Sequence, residues 1–299
     1  MQGLYGGKSL ERIVVASLSL LLDGLSFGMI LFLISSGLTV TLGVMRVINL
    51  AHCGFAMAGG YMAMTLMQSL GLGLFAAAPL AVAGTVLLGL ALERTVYRWV
   101  YGTNQLGQIL MTIGLAFVMV AATNRLFGPL LHTLRLPAFL TGTWSVADVT
   151  ISIHRSFLVL LSGAIAGALW YGLERTRFGA ALRAAVNNPS MARAIGINVR
   201  QVFAITFAVG CGLAAIGGIF GTPMLPLEPD YALRYLVLVL IVVAVGGPGS
   251  LRGSFLAALA LGLIDTYGRY LMPAVGGFVI YGAVVSILLV RPQGLFGRP

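Results

Sequence analysis

The chain has 299 residues, of which 59% are hydrophobic and only 9% are charged, and its formal net charge is +10. A soluble domain contains roughly 25% charged residues, so this composition excludes a protein whose surface mainly contacts water. Arginines in short cytoplasmic loops of a membrane protein explain the positive charge, and no basic run with interleaved aromatic residues favours a nucleic-acid partner.

Near-continuous apolar runs follow one another along the chain without strict alternation between apolar and polar residues. In chain order they cover residues 13–22, 24–42, 54–70, 72–92, 106–124, 156–173, 202–222, 235–245, 255–271 and 275–290. Helices are therefore expected rather than barrel strands. Because a spanning helix needs about 20 apolar residues, the sequence predicts an all-α, polytopic transmembrane bundle of roughly eight spans, plus or minus one. We expect a single transmembrane domain over residues 1–299.

The first apolar run, residues 13–22, follows Lys8 and Arg12 in the manner of a signal peptide. No cleavage site with small residues comes after it, so we expect this segment to belong to the mature protein. Two interpretations stay open. The run forms either a helix at the membrane interface or the beginning of a long first span.

The arginines predict the orientation of the bundle. Residues 174–200 should face the cytoplasm, because they hold the densest group, which is Arg175, Arg177, Arg183, Arg193 and Arg200. Counting spans outward from this loop puts residues 93–105 and the C-terminal tail, residues 291–299, on the cytoplasmic side. Residues 125–155 and 223–234 then lie on the opposite side.

Two apolar regions, residues 37–54 and 242–253, are interrupted in the same way. In each, a short break with a single arginine, Arg46 or Arg252, precedes a new helix that opens at Gly54 or Gly253. Breaks survive in lipid where they are buried in protein or line a polar path, so paired interruptions indicate a transport pathway. The free N–H groups of each new helix would attract an anionic carboxylate. Surface loops between short helices are the alternative interpretation.

Two polar side chains in apolar regions are candidates for function. His52, close to Asn49, either contacts a solute or satisfies a helix end. Asp265 is an ionisable group within an apolar run, which by default indicates a functional residue. However, Tyr267 and Arg269 lie close enough in sequence for Asp265 to pair inside the bundle or near its end.

The cytoplasmic loop contains the signals of a short helix over residues 189–195. Asn188 suits the N-cap, Pro189 the first helical position and Gly196 the position after the end. Such a helix presents Met191 and Ile195 on one face. An exposed apolar face on a cytoplasmic helix is typical of a docking element, and a helix lying on lipid headgroups is the alternative.

No catalytic constellation is found in the sequence. Gly7-Lys8-Ser9 ends like a phosphate-binding loop, but that motif requires a glycine where Gln2 stands, so ATP binding by this route is not expected. Cys53 and Cys211 lie far apart without metal-ligand spacing, and we expect both to be buried small hydrophobic residues. The sequence therefore predicts neither an enzyme nor a metal site.

Four separated motifs resemble those of the branched-chain amino acid permeases of ABC importers. They are residues 43–52 (GVMRVINLAH) with Gly54, residues 176–184 (TRFGAALRA) with 194–198 (AIGIN), the break at 246–253 (GGPGSLRG) and the closing stretch 291–297 (RPQGLFG). The resemblance runs from about residue 23 to residue 297 and keeps the order of the motifs. It is specific to the family and not to a solute.

The resemblance implies a multi-pass permease subunit of the bacterial cytoplasmic (inner) membrane with its C-terminus in the cytoplasm. Its partners would be a second, related permease subunit, in a heterodimer or a homodimer, and a periplasmic solute-binding protein. Two cytoplasmic ATPase subunits would dock on residues 183–198 and bind ATP and magnesium, so no cofactor is expected in this chain. The other contacts would be with membrane lipid and not with nucleic acid.

The resemblance also supplies candidate site residues at the matching positions. The substrate pathway would contain Asn49, Ala51, His52, Gly54, Gly246, Gly247, Gly249, Ser250 and Gly253. Coupling to the ATPase subunits would use Arg183, Asn188, Pro189, Met191, Arg193, Ile195 and Gly196.

The first motif departs from the family at one position, because Cys53 stands between His52 and the glycine that usually follows the histidine directly. The candidate solutes are therefore branched-chain amino acids and related small carboxylates or amides. The alternative function is a stand-alone ion-coupled secondary transporter or channel. Such proteins carry mid-span carboxylates, and Asp265 and Asp23 are the candidates for that role.

Overall fold

The computed structural model describes residues 3–45, 48–100, 103–146 and 149–297. Gln2, Arg46 and Val47, which entered the sequence interpretation, lie outside these ranges. A π-helical turn covers Glu93–Tyr97. The helices are α1 (Gly3–Met45), α2 (His52–Ser69), α3 (Leu74–Leu92), α4 (Arg98–Val100), α5 (Gln105–Phe127), α6 (Ala138–Thr141), α7 (Ile153–Arg175), α8 (Arg177–Asn187), α9 (Pro189–Ala194), α10 (Val199–Phe220), α11 (Tyr231–Arg234), α12 (Leu236–Gly246), α13 (Leu251–Leu271) and α14 (Gly276–Val290).

The predicted transmembrane helical bundle is confirmed. Within the described residues, five helical segments are long and apolar enough to cross a membrane, namely Ser17–Val44, Leu74–Tyr97, Gln105–Phe127, Ile153–Arg175 and Val199–Phe220. Two shorter apolar helices, Tyr231–Gly246 and Gly276–Val290, pack with them. Together with α2 and α13, these segments account for the apolar runs of the sequence.

The first helix is a single element of 43 residues. It contains the apolar run 13–22, so that run begins a long first helix and does not form a separate interfacial one. At a rise of about 1.5 Å per residue, a helix of this length exceeds the hydrocarbon core of a bilayer roughly twofold.

The segment between α5 and α7 contains the sheet of the described chain, which helix-based reasoning missed. Strands β1 (Thr143–Val146) and β2 (Val149–Ser152) form an antiparallel hairpin in which Thr143 faces Ser152. Each strand is only four residues long, and a run this short is lost against the helical pattern of the chain.

The two segments predicted to share the non-cytoplasmic side lie together. His132 N–H donates to the Leu227 carbonyl at 2.8 Å, and Leu227 N–H donates to the His132 carbonyl at 2.9 Å. This backbone pair joins the segment before α7 to the segment before α11. The contact agrees with their common side in the predicted orientation.

Helix α1 lies at the centre of the bundle, between α10 and α13. Ile30 to Ile34 are almost fully buried in an unbroken run, which means that every face of α1 here contacts protein. Glycines make the closest approaches. Gly37 of α1 lies against the Gly210 backbone of α10, and Gly28 lies against the Ala258 backbone of α13.

Equal glycine spacing does not produce equal packing. Gly217 of α10 faces α1, where an added Cβ would lie 2.6 Å from Ile34 Cγ1. Gly163 and Gly167 of α7 have the same four-residue spacing, but an added Cβ would meet nothing within 4 Å among the described residues. Small residues permit close helix contact, but the rest of the fold decides whether it is made.

Gly28→Ala should destabilise the bundle. The added methyl group would lie 2.6 Å from the Ala258 carbonyl oxygen and 3.0 Å from Leu259 Cα, so a helix backbone must shift to admit it. Overpacking of this kind costs about 1–3 kcal/mol. Thermal unfolding of the purified protein in detergent measures the loss.

Gly163→Ala is the matched control, because the added Cβ meets no described atom within 4 Å. Alanine is favoured over glycine in a helix by about 1 kcal/mol, so this variant should be as stable as the parent or more stable. Equal unfolding temperatures for the two variants would contradict the packing described for α1.

Candidate functional site

The described part of the first break, residues 48–51, is buried or half-buried in the protein. Helix α1 ends at Met45 and α2 begins at His52. The His52 imidazole Nε2 lies 3.0 Å from the Ile34 carbonyl oxygen of α1. The helical rise of about 1.5 Å per residue puts Ile34 roughly 16 Å before the end of α1. The chain therefore folds back along α1 before α2 begins, which favours a buried break over a surface loop.

Asn49 organises this turn. Its Oδ1 accepts a hydrogen bond from Ala51 N–H at 3.1 Å and another from the Tyr97 hydroxyl at 2.7 Å. Thr112 of α5 donates to the Ile48 carbonyl at 3.3 Å. The turn is thus held by side chains from two other helical segments. Sequence reasoning missed Tyr97 and Thr112, because nothing local in the chain indicates these partners.

The His52 side chain bonds to the middle of α1 and not to the end of a helix. A carbonyl oxygen can only accept, so Nε2 donates to Ile34 and the neutral ring leaves Nδ1 as an acceptor. His52 is only 1% exposed and joins α2 to the middle of α1. Its Nδ1 and the Asn49 Nδ2 are both buried without a hydrogen-bond partner in the described part of the chain. The turn therefore holds one unused acceptor and one unused donor.

The second break is made by glycine conformation. After α12, Gly247 and Gly249 adopt φ values of +96° and +76°, which residues with a side chain rarely adopt. Helix α13 then opens at an N-cap, where Ser250 Oγ accepts a hydrogen bond from Gly253 N–H at 3.1 Å. Pro248 and Gly249 are exposed, whereas Gly246, Gly247 and Gly253 are buried.

The closing motif returns to this second break. Leu295 N–H donates to the Val245 carbonyl at 2.7 Å, and Phe296 N–H donates to the Gly246 carbonyl at 3.3 Å. These carbonyls belong to the last turn of α12, where intrahelical partners run out. The stretch 291–297 therefore completes the end of α12, a role that its sequence alone did not reveal.

The two predicted breaks are neighbours in space. An added Cβ on Gly43, near the end of α1, would lie 2.6 Å from Gly249 Cα. About one helical turn further from the breaks, the hydroxyls of Thr39 in α1 and Ser254 in α13 are 2.7 Å apart and buried. The structure thus brings the α1 side of the first break against the second. The backbone contact requires glycine at both positions.

The predicted cytoplasmic helix is present as α9. Asn188 Oδ1 accepts a hydrogen bond from Met191 N–H at 2.9 Å, Pro189 takes the first position, and Gly196 follows with a φ of +87°. The helix ends at Ala194, one residue earlier than expected. Met191 and Ile195 are 61% and 68% exposed, as the predicted docking face requires.

Arg183 and Arg193 have distinct positions around this helix. Arg183, on α8, donates a hydrogen bond to the Leu173 carbonyl and ties α8 to the end of α7. Arg193, on α9, lines a cavity of about 420 Å³ beside the helix. Glu93, Arg200 and Phe203 line the same cavity. An apolar face and a recess lined by both apolar and charged side chains therefore lie next to each other.

The intramembrane carboxylates are paired with arginines. Asp265 accepts two hydrogen bonds from Arg269, one turn later in α13, at 2.8 and 3.0 Å. Asp23 of α1 pairs with Arg155 of α7. For Asp265, pairing with Arg269 is confirmed, and the pair lies near the end of α13 with the Arg269 side chain 63% exposed.

Both cysteine side chains are packed inside the protein. Cys53 and Cys211 are free and buried, which agrees with their predicted packing role. Within the part of the chain that the structure describes, no group of three or more His, Cys, Asp or Glu side chains could hold a metal ion.

Gly249→Ala should destabilise the protein more than Gly71→Ala. Both glycines have positive φ, at +76° and +64°, so both alanines carry the cost of about 1–2 kcal/mol for a left-handed conformation. Only at Gly249 does the added Cβ also meet a backbone atom, since Gly43 Cα would lie 2.8 Å away, while Gly71 has nothing within 4 Å. Thermal unfolding in detergent compares them. Equal losses would mean that the contact between the breaks contributes nothing.

Known permease proteins resemble this chain over most of its length. Residues 20–294 match the family described as branched-chain amino acid transport system / permease component. The high-affinity branched-chain amino acid transport system permease protein BraD of Pseudomonas aeruginosa is 29% identical over 294 residues, which cover 93% of this chain and 95% of that protein. The corresponding permease protein LivH of Escherichia coli is 26% identical over 292 residues, covering 93% and 94%.

One solved structure, described as PsaBC from Streptococcus pneumoniae in complex with Fab, covers 90% of this chain and 89% of its own, with a TM-score of 0.48 and 10% identity. That similarity is too low to support a functional argument. The family match, in contrast, spans most of the chain. This protein therefore belongs to the branched-chain amino acid transport system permease family.

Proposed function

We propose that this chain is a membrane subunit of an ATP-driven importer and forms half of the path for a branched-chain amino acid or a related small carboxylate or amide. The observation that carries the proposal is helix α9. Its capped ends fix the helix, and Met191 and Ile195 point an apolar face outward.

The cavity beside helix α9 adds to the case for a docking role. It has a buried carboxylate, Glu93, and two arginines, Arg193 and Arg200, in its walls. A protein partner that presents both apolar and polar side chains would suit this cavity together with the apolar face of α9. A cytoplasmic ATPase subunit is the partner that the family membership supports.

The orientation is proposed from contacts at one end of the bundle. Arg252, at the start of α13, pairs with Glu174 at the end of α7, where the arginine-rich loop begins. The stretch 291–297 contacts the end of α12 at the same break. The loop, the second break and the C-terminal stretch therefore share a side, which is the cytoplasmic side by the distribution of arginines. The membrane is the bacterial inner membrane.

The solute path is proposed to follow the two breaks. Asn49 Nδ2 is an unused donor and His52 Nδ1 an unused acceptor, and buried polar groups normally have partners. An amino acid offers a carboxylate to the donor and an ammonium group to the acceptor. Ala51 and Gly54 belong to the same turn, and Gly246 to Gly253 would form the second wall. Both atoms are enclosed in this conformation, so α1 and α2 must separate to admit a solute.

The names of the similar proteins support the other proposed components, because each name describes one part of a transport system. BraD and LivH are permease proteins of such systems, which supports an assembly of several subunits. We propose a second permease subunit, two ATPase subunits that bind ATP and magnesium, and a periplasmic solute-binding protein.

The ion-coupled alternative is less well supported. A coupling carboxylate has to exchange a proton or a sodium ion during transport. Asp265 and Asp23 are the carboxylates that raised this alternative, and both are engaged by arginines. An arginine held in place competes with the coupling ion for the carboxylate.

Purification of the tagged chain from its native membrane in mild detergent tests the assembly. Mass spectrometry should identify an ATPase with a phosphate-binding loop and a second permease subunit. Recovery of this chain alone, together with leucine transport that needs no ATP in proteoliposomes, would refute the importer.

Met191→Asp should leave the protein folded and inserted but should abolish its coupling to the ATPase. A carboxylate on the exposed face of α9 would have to lose its water when the partner docks, and burial of an unpaired charge is very unfavourable. Co-purification of the ATPase and ATP-dependent uptake of labelled leucine measure the effect.

Met272→Asp provides the matched control. Met272 is 57% exposed, close to the 61% of Met191, and follows α13 at the opposite end of that helix from the second break. This variant should retain its ATPase subunit. If Met191→Asp keeps both its ATPase and its uptake, α9 is not the docking element.

A further inference from the structure

Three side chains join the end of α7 to the beginning of α13. Arg252 Nη2 lies 2.5 Å from Glu174 Oε1, and the Arg252 guanidinium lies 4.5 Å from the centre of the Trp170 ring. Trp170 and Glu174 are four residues apart in α7, so both side chains stand on the same face of that helix. Arg252 thus contacts both of the others. We call Trp170, Glu174 and Arg252 the α7–α13 clamp.

The two charges of the clamp stand at unfavourable helix ends. Arg252 is the second residue of α13, near the positive end of that helix dipole, and Glu174 is the second-last residue of α7, near a negative end. Charges of the opposite sign would suit both ends. The dipole of its own helix therefore favours neither charge. The effect of the ion pair is to connect α7 with α13.

On one side, the clamp is rigidly connected to α9. Thr176 Oγ1 caps α8 by accepting from Gly179 N–H at 3.2 Å, immediately after α7. Arg183 returns from α8 to the Leu173 carbonyl, next to Glu174. Helices α8 and α9 share a small buried cluster that contains Leu182, Ala185, Ala192, Val199 and Val202. A movement of α9 should therefore carry the end of α7 with it.

On the other side, the clamp ends at the second break. Arg252 comes two residues after Ser250, the N-cap of α13, and three residues after Gly249. Gly249 lies against Gly43 of α1, beside the first break. Of the four ion pairs in the described ranges, the Glu228–Arg234 and Asp265–Arg269 pairs connect near neighbours in sequence, and the Asp23–Arg155 pair joins α1 to the beginning of α7. The Glu174–Arg252 pair connects residues 78 positions apart, from the cytoplasmic loop to the break.

We propose that the α7–α13 clamp is a set of positioning residues that transmits movement of α9 to the second break. The proposal rests on the proposed function, in which an ATPase moves α9. Exposed ion pairs contribute little to stability, and the side chains of Arg252 and Glu174 are 60% and 45% exposed. Removal of the clamp should therefore leave the fold intact and disconnect the two elements.

The test reads the second break directly and does not depend on the identity of the solute. Pro248→Cys introduces a thiol at an exposed position of the break, while Cys53 and Cys211 are buried and should not react. The purified complex with its ATPase and second permease subunit is treated with a maleimide, with and without ATP and vanadate. The rate of labelling should change with nucleotide.

Arg252→Ala in this background should abolish the nucleotide response while ATP hydrolysis continues. Coupling between sites usually corresponds to at least about a fivefold effect, so a loss of that size is expected. Arg234→Ala is the matched control, because the Arg234 side chain is 60% exposed, as is that of Arg252, and its partner Glu228 lies only six residues away. The control should keep the response.

Exchange of the two charges, in Glu174→Arg with Arg252→Glu, should restore the response, because the ion pair is rebuilt and both helix dipoles then favour it. An unchanged response in Arg252→Ala would overturn the clamp but not the importer. A purified complex that contains no ATPase would refute the proposed function itself.

Discussion

The close contact of α1 with α10 and α13 is the constraint on which the rest of the structure depends. In lipid, helices are held together by van der Waals packing and polar contacts, since no water is displaced from between them. Gly37 and Gly28 bring α1 within backbone distance of both neighbours. The contact between Gly43 and Gly249 continues this seam to the breaks, so the geometry of the candidate path is set by the packing of one helix.

Charge and packing are divided between different parts of the molecule. In the described interior, Asp23 and Asp265 are neutralised by Arg155 and Arg269, which ties helices together or stiffens one. At the end of the bundle that holds α9, arginines line the cavity beside that helix, and Arg252 reaches between two helices. Close packing between the helices and polar contacts at one end suit the proposed transporter, in which movement begins at α9. The contacts of α1 with α10 and α13 would transmit that movement into the bundle.

The sequence predicted well what is determined locally. Asn188, Pro189 and Gly196 act on backbone groups within a few residues, so α9 and its exposed face could be inferred. The glycines at the second break have a local effect too. Contacts between distant residues could not be inferred, such as Tyr97 with Asn49 or Leu295 with Val245. Gly163 and Gly217 begin identical patterns, but only Gly217 faces another helix. The hypothesis that the breaks line a path also stays a prediction, because packing alone does not determine what passes through.

The central position of α1 has a consequence for how the protein assembles. Chains are inserted from the N-terminus during synthesis, so α1 enters the bilayer long before its neighbours exist. Gly210 is synthesised about 170 residues after its contact partner Gly37, and Ala258 about 230 residues after Gly28. Contacts so distant in sequence form slowly. Until then, α1 is a stable helix with satisfied backbone hydrogen bonds but with its glycine faces against lipid. Assembly is therefore a late condensation around an early helix, and a chain that stops before α10 would hold a well-formed α1 without its glycine contacts to α10 and α13.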